Sequence, residues 1–275
     1  MIFRVLTPFG VFLAVVISLT SNVLAQSASE TKIFPCEKID RRYGERLCEV
    51  REQTFAAPNG TLEVESPTNG GICVRGWGRN DMLVRARISV WTEDEAGARA
   101  IAARTSIEFK NNRLTAVDDA GEEGKHAGVR FEIFVPQDTD LSLKAHNGGI
   151  AIADVRGAIR FDGTNGGASL ERLAGDVRGE VTNGGLNIEL TGERWEGAGM
   201  DVRTTNGGVN LKIPQNYSAR IETAGIWGGI NVDPLLKIYG SSETALSTNI
   251  GAGGATIKAV TTNGGIRIKA LPAVP

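Results

Sequence analysis

The sequence predicts an all-β protein, most simply a β-solenoid (β-helix-like) with coils of ~18 residues and one short helix near residues 93–104. Three observations predict this class. The triplet Asn-Gly-Gly recurs at nearly fixed spacing, apolar residues alternate on both sides of each triplet, and helical patterns are almost absent. Recurrence at a near-constant period is the mark of a repeat architecture.

Each repeat is predicted to be a strand, an Asn-Gly-Gly corner, a second strand and a second corner. From Asn147 onward the first corners are 18, 18, 23, 21 and 36 residues apart. An apolar residue follows each Gly-Gly, and another stands two positions later, as on one face of a strand. This alternation predicts that the side chain of Ile188 points inward and that of Asn187 outward. The corner residues are Asn69, Asn147, Asn165, Asn183, Asn206 and Asn263, with Trp227 replacing asparagine in one copy.

Two architectures fit this pattern. In a solenoid each repeat stacks on the next, and stacked Asn and Thr side chains can form hydrogen-bonded ladders. In the alternative, antiparallel hairpin sheets or a barrel, Asn-Gly is a two-residue turn between antiparallel strands. The solenoid explains more, because the whole phrase Thr-Asn-Gly-Gly recurs, whereas a hairpin needs only Asn-Gly.

The amino-acid composition excludes some classes of protein and partner. The chain of 275 residues carries 30 basic and 32 acidic side chains, a formal charge of −2. This balance argues against a nucleic-acid partner, which would favour a basic surface. The 35 glycines follow no Gly-X-Y period, so collagen is excluded and most glycines are expected at corners.

The N-terminus predicts export. Residues 1–25 are typical of a signal peptide, with Arg4, an apolar run from Val11 to Leu19, and the small-residue cleavage pattern ending at Ala25. The apolar run is short for a membrane span. We therefore expect a periplasmic or cell-surface protein with no integral membrane span after signal cleavage.

Residues 26–54 form a polar segment that contains Cys36 and Cys48. In an exported chain two nearby cysteines suggest a disulfide, so Cys36–Cys48 is the expected pair. Cys73 is expected to point away from the apolar face, either free or as a competing partner. The cysteines have no neighbouring histidine, so no zinc site is predicted.

Residues 55–135 are expected to form an N-terminal β part, and residues 136–270 the repeat domain. In the first part, 84–90 alternates as a strand, and Thr92 with Glu95 has the spacing of a capping box that opens the helix. Segments 105–109 and 113–117 suggest a hairpin around Asn111 and Asn112, and 130–135 leads into the repeats.

Four features over roughly residues 55–270 resemble the bacterial putative-adhesin family, a domain of unknown function. They are Asn-Gly-Gly-Ile at 69–72, Val-Arg-Gly-Trp at 74–77 before a helix, Phe-Val-Pro at 134–136, and the serial Thr-Asn-Gly-Gly phrases. The resemblance implies a β-solenoid in an exported or surface protein with no established activity. It supplies no catalytic residues.

The sequence contains few groups of residues that could act in catalysis. A hydrolase or lyase would need clustered ionisable groups on one strand face. Asp201 and Arg203 near Lys212 are candidates, as is the trio Asp154, Arg156 and Arg172, but solvated surface positions are the simpler interpretation. Since no aspartate recurs in register at the corners, calcium is not expected. We predict no catalytic, cofactor or metal residues.

Three tryptophans suggest contact with sugars. Trp77, Trp195 and Trp227 could stack on a glycan or, more simply, pack against loops and ends of the stack. Trp195 and Trp227 are the glycan-stacking candidates. The expected function is a non-enzymatic binding, adhesion or structural module whose partner is a surface polymer, glycan or protein. The alternative is a carbohydrate-active hydrolase or lyase on the same scaffold.

Overall fold

The strands form two large mixed sheets, A and B, each ten strands wide. They are seen in a computed structural model, which describes residues 45–66, 69–118, 127–238 and 244–272. These residues belong to one compact unit, Ile33–Pro275. The all-β class is confirmed, with one α-helix in the described ranges. The predicted signal peptide, residues 1–25, lies outside those ranges.

The elements follow one another along the chain in three groups. The N-terminal group is β1 (Glu45–Ala56), β2 (Leu62–Glu65), β3 (Ile72–Trp77), β4 (Asp81–Trp91), α1 (Glu95–Arg104), β5 (Thr105–Lys110), β6 (Arg113–Asp118) and β7 (Ala127–Pro136). The middle group is β8 (Leu141–Asn147), β9 (Ile150–Ala153), β10 (Arg156–Asn165), β11 (Ala168–Glu171), β12 (Ala174–Asn183), β13 (Leu186–Glu189), β14 (Gly199–Asn206) and β15 (Val209–Pro214). The C-terminal group is β16 (Ala219–Trp227), β17 (Ile230–Val232), a 3-10 helix (Pro234–Leu236), β18 (Ala245–Ile250), β19 (Thr256–Asn263) and β20 (Ile266–Leu271).

Each repeat contributes one strand to each sheet. Sheet A has the order β1-β4-β7-β3-β9-β11-β13-β15-β20-β17, and sheet B the order β18-β16-β19-β14-β12-β10-β8-β2-β6-β5. Each sheet has two edge strands in the described ranges, so neither closes on itself. The repeats are the strand pairs β2/β3, β8/β9, β10/β11, β12/β13, β14/β15, β16/β17 and β19/β20.

Neighbouring repeats pair in parallel and in register. In sheet B Ile159 lies beside Val177, and in sheet A Leu170 lies beside Ile188. The hairpin alternative is wrong for the repeats, because it requires the two strands that flank a corner to pair with each other in antiparallel fashion. Here the flanking strands lie in different sheets.

The core lies between the sheets and follows the predicted strand phase. Ile188 is 1% exposed, and its neighbours in adjacent repeats, Leu170 and Leu211, are equally buried. Asn187 is exposed. The alternation arises because successive side chains of a strand point to opposite faces. One apolar cluster runs from Leu62 to Ile268 through every repeat.

The repeats are not stacked in sequence order at the C-terminal end. β19 and β20 come last in the chain, yet they lie between β14/β15 and β16/β17. Simple stacking of each repeat on the next is therefore wrong here. The antiparallel strand β18 covers the outer edge of β16 and carries the chain back toward the inserted repeat.

At the N-terminal end, too, the strands lie in the sheets in a different order from their order in the sequence. β2/β3 packs between β8/β9 on one side and the strands β6 and β7 on the other. Antiparallel strands β4 and β1 then extend sheet A, and β5 extends sheet B. Both sheets run unbroken past residue 135, where the sequence suggested a boundary between two parts.

Three local features complete the N-terminal part. The long strand β1 occupies part of the segment 26–54, for which no strand was predicted. Helix α1 begins later than predicted, because its N-cap is Asp94, whose carboxylate accepts a hydrogen bond from Gly97 N at 2.6 Å, rather than Thr92. The predicted hairpin is present: β5 and β6 pair antiparallel, and Asn111 and Asn112 both have positive φ, as this turn requires.

Candidate binding site

The Asn-Gly-Gly corners carry a continuous ladder of asparagine side chains along one edge of the stack. Each Nδ2 donates to the Oδ1 of the asparagine in the adjacent repeat. The donor–acceptor distances are 3.1 Å for Asn147–Asn69, 2.8 Å for Asn165–Asn147, 2.9 Å for Asn183–Asn165, 2.8 Å for Asn206–Asn183 and 2.7 Å for Asn263–Asn206. All six predicted corner asparagines therefore belong to this ladder.

Trp227 occupies the next corner position beyond this ladder. It lies beside Asn263 in the parallel pairing, and its side chain is highly exposed, at 73%. Ile226, beside it, is also exposed. An indole cannot continue a chain of amide hydrogen bonds, so the asparagine ladder ends at this repeat.

A concave feature lies at the opposite, second-corner edge of the stack. It is an open cleft of about 850 Å³ lined by the connections β1–β2, β3–β4 and β7–β8 and by the start of β10. Because the repeat order is exchanged at this end, connections distant in sequence meet here. We call this feature the cleft; its side chains that matter below are Trp77, Arg79, Asp138, Asp140 and Arg156.

Trp77 is fixed in the wall of the cleft. Its Nε1 donates to the backbone oxygen of Asp81 at 2.9 Å, and its ring packs on Phe134 with centroids 5.4 Å apart. The guanidinium of Arg79 lies over the indole, 4.4 Å from the ring centroid. This is a cation–π contact at an exposed position, which is weak.

Each of the two arginines that line the cleft pairs with an aspartate. Arg79 Nε donates to Asp81 at 2.9 Å, and this hydrogen bonding raises the pKa of the Arg79 guanidinium. Arg156 Nε lies 3.0 Å from a carboxylate oxygen of Asp138, whose side chain remains 78% exposed. Arg79, Arg156 and Asp138 line the cleft and are at least half exposed, so the wall offers donors and acceptors together.

Backbone hydrogen bonds hold the cleft loops in place. Thr139 N donates to Arg156 O at 3.1 Å, and Arg156 N donates to Gln137 O at 2.7 Å. The Asp140 carboxylate accepts from Ala158 N at 2.7 Å. The β7–β8 connection is thus joined to the start of β10. A site whose loops are fixed in advance loses less conformational entropy on binding.

Trp195 does not fit the predicted role in glycan stacking. It is only 6% exposed, and its Nε1 donates to Gly175 O at 3.0 Å, so it anchors the long β13–β14 connection to a neighbouring repeat. The buried ring has no free face for a sugar. Trp227 alone of the two candidates is accessible.

The cysteines are only partly described. Cys48 is disulfide-bonded and half-buried in β1, whereas Cys36 lies outside the described ranges, so their pairing stays a prediction. Cys73 is free. It lies on the outward side of β3 as expected, yet it is buried, and this burial together with the nearby Glu132 carboxylate raises the pKa of its thiol to about 11. The thiol therefore stays protonated at neutral pH.

The charged candidates for catalysis are dispersed or paired. Asp201 lies in sheet B and bonds Lys258 at 3.2 Å, whereas Lys212 lies in sheet A and bonds Glu189 at 2.9 Å. Arg172 forms two hydrogen bonds with Asp154, at 2.6 and 2.9 Å, which raise the pKa of the guanidinium. These charges link adjacent repeats.

In the described ranges no group of three or more His, Cys, Asp or Glu side chains could hold a metal ion. Within those same ranges, no helix is long and apolar enough to cross a membrane.

Sequence reasoning missed most of the cleft. Trp77 was named there but was not among the two glycan-stacking candidates. Arg156 was considered only as a catalytic candidate, together with Asp154 and Arg172. Arg79 and Asp138 carry no local signal, since isolated charges in loops are the ordinary state of a surface. The juxtaposition arises from the exchanged repeat order.

Comparison with known proteins gives structural similarities only. No family model matches the chain, and no curated protein matches it. The chain is similar to a putative cell adhesion protein from Clostridium sporogenes, with 10% identity over 81% of this chain and 100% of the other, at a TM-score of 0.43. A putative adhesin from Bacteroides fragilis gives 13% identity over 81% and 97%, at 0.33. A putative lipid binding protein from Parabacteroides distasonis gives 10% identity over 80% and 96%, at 0.29. TM-scores this low carry no argument about ligand or location.

Proposed function

We propose that this protein is an exported, non-enzymatic β-solenoid that acts as a binding or adhesion module in the periplasm or at the cell surface. Its repeats are the coils of the solenoid, and its partner is a cell-envelope component. The observation that carries the proposal is the cleft, because a concave site with an aromatic wall and a few convergent polar groups is the usual form of a ligand site.

Three further features support this function. The parallel, in-register pairing of repeats and the asparagine ladder suit a rigid support for the cleft loops. The outward charges examined for catalysis pair across adjacent repeats, which suits a structural role better than proton transfer. The signal-peptide pattern of residues 1–25 supports export.

Binding is tested with the full chain, expressed with its predicted signal peptide in a bacterial host and purified from the envelope. We expect the purified protein to co-sediment with insoluble envelope polymers and to release no reducing ends from them over hours. A control protein with a closed, cleft-free surface should stay in the supernatant. Retention in the cytoplasm, no binding to any envelope fraction, or steady release of reducing ends would each contradict the proposal.

A further inference from the structure

We infer that the cleft binds a neutral saccharide, with Trp77 as its apolar platform and with Arg79, Arg156 and Asp138 as its polar contacts. This inference rests on the proposed function and specifies the ligand class of the same site.

Charge balance identifies the ligand as neutral. Two arginines and two aspartates line the cleft, Arg79 and Arg156 with Asp138 and Asp140. Arg156 pairs with Asp138, Arg79 pairs with Asp81 just outside the lining, and the Asp140 carboxylate accepts a hydrogen bond from Ala158 N. An anionic ligand would have to compete with the paired carboxylates for the guanidinium groups, and a cationic ligand would have to compete with Arg156 for Asp138 or with Ala158 N for Asp140. A neutral ligand disturbs neither pair.

The hydrogen-bonding pattern identifies it as polyhydroxylated. A hydroxyl group donates one hydrogen bond and accepts others, so it can bridge a carboxylate and a guanidinium at the same time. Asp138 is mostly exposed while paired with Arg156, which leaves acceptor positions open toward the cleft. Thus an arginine–aspartate pair can bind a hydroxyl without breaking.

The aromatic wall identifies the ligand as a sugar ring rather than a small polyol. Trp77 is held by its own hydrogen bond to Asp81 and by Phe134, so its orientation is fixed before binding. Arg79 lies over the indole but is largely exposed, at 61%, so a ring with apolar C–H groups can pack beside it. The volume, about 850 Å³, accommodates an oligosaccharide rather than a single ring.

The test measures binding of pentasaccharides to the purified full-length protein by titration calorimetry. The panel contains neutral β-1,4-linked glucose and N-acetylglucosamine pentamers, neutral α-1,4-linked glucose pentamers, and a galacturonate pentamer as the anionic counterpart. We expect at least one neutral pentamer to bind and the galacturonate pentamer to bind at least tenfold more weakly. Binding of the neutral pentamer should change less than twofold between 50 and 500 mM salt, since an uncharged ligand forms no ion pair with the protein that salt could screen.

Variants locate the site. Trp77→Ala should weaken binding at least tenfold, and Asp138→Asn, which keeps the side-chain volume at an exposed position, should weaken it severalfold with unaltered thermal unfolding. The matched control is Trp227→Ala, an exposed tryptophan at the opposite edge of the stack, which should bind like the parent.

The outcomes separate this inference from the proposed function. Binding lost in Trp227→Ala but kept in Trp77→Ala and Asp138→Asn would overturn the cleft assignment. Preferential, salt-sensitive binding of the galacturonate pentamer would overturn the neutral ligand class. If no pentamer binds while envelope polymers still co-sediment, the saccharide inference fails and the binding module stands.

Discussion

At the scale of single residues, the first glycine of each corner is fixed by the closeness of the next repeat. A Cβ built on Gly184 would lie 2.5 Å from the carbonyl carbon and oxygen of Gly166, and one on Gly207 would lie 2.2 Å from the oxygen of Gly184. The obstructing atoms are backbone and cannot rotate away. Gly184 thus permits the close approach in which Gly166 N donates to Asn183 O at 2.8 Å and joins the two corners.

Gly184→Ala is therefore expected to lower the free energy of unfolding by about 1–3 kcal/mol, as overpacked positions do. Gly184 has no positive φ, so the cost is steric rather than conformational. The measurement is urea unfolding followed by circular dichroism.

The control is Gly229→Ala in the Trp227 corner, where a Cβ would have no atom within 4 Å and φ is not positive. It should change stability by less than about 0.5 kcal/mol, the range of ordinary surface substitutions. Equal losses in the two variants would mean that repeats are not packed this closely at the corner.

At the scale of elements, β13 shows how a four-residue strand joins the core. Leu186 and Ile188 point inward, whereas Asn187 points outward, where its Oδ1 faces Asn210 Nδ2 at 3.4 Å. Ile188 packs with residues of the two adjacent repeats, so its side chain contributes to both interfaces.

Ile188→Ala should cost about 2–5 kcal/mol, because it removes buried methyl groups and leaves a cavity between the sheets. Asn187→Ala, one residue away, should cost less than about 1 kcal/mol, since its one side-chain hydrogen bond is long and exposed. Chemical denaturation of the two variants and the parent compares them directly, and similar costs would contradict the strand phase.

Elements with a clear local signal could be predicted from sequence, and those without one could not. The hairpin β5–β6 and the strand β4 have a turn or an alternation of their own. β1 escaped prediction because several of its residues, among them Glu52, Gln53 and Thr54, are exposed polar residues on an edge strand. The start of α1 was misplaced because Thr92 and Asp94 can both cap a helix, and only the folded chain selects between them.

At the scale of the whole molecule, we expect the middle repeats to be modular. In a linear stack, stability is close to a sum of repeat terms and interfaces between neighbours. Deleting residues 165–182 joins Thr164 to Asn183 and restores Thr-Asn-Gly-Gly. Gly157 lies beside Gly175 in the parallel pairing, so it can accept the Trp195 hydrogen bond that Gly175 now accepts.

We expect this eighteen-residue deletion to fold with a modest loss of stability. The control deletion, residues 165–173, removes half a repeat and puts inward-facing residues out of phase with their neighbours, so it should not fold. Thermal unfolding followed by far-UV circular dichroism distinguishes them. Equal disruption by both deletions would show that the repeats are not independent units.

The repeat spacing does not encode the order of the stack. The corners at Trp227 and Asn263 are followed by similar strands. Their local patterns therefore give no reason to place the later repeat, β19/β20, between β14/β15 and β16/β17. The exchange at the other end depends in the same way on pairings between distant strands. The cleft is formed by that exchange. The sequence therefore shows which residues are present, but not that they lie close together in the fold.

The inserted repeat β19/β20 has a consequence for how the chain matures. A polypeptide leaves the ribosome, or an export channel, with its N-terminus first. β16/β17 therefore emerges while the place beside β14/β15 that the last repeat will occupy is still empty. Both sheets gain their final neighbours only when residues 256–271 have followed. A product that stops short of these residues leaves four strands, β14, β15, β16 and β17, each without the parallel neighbour that β19 or β20 provides, and unpaired strand edges invite aggregation and proteolysis. Cells that make this protein are thus expected to accumulate full-length chains and to clear prematurely terminated ones.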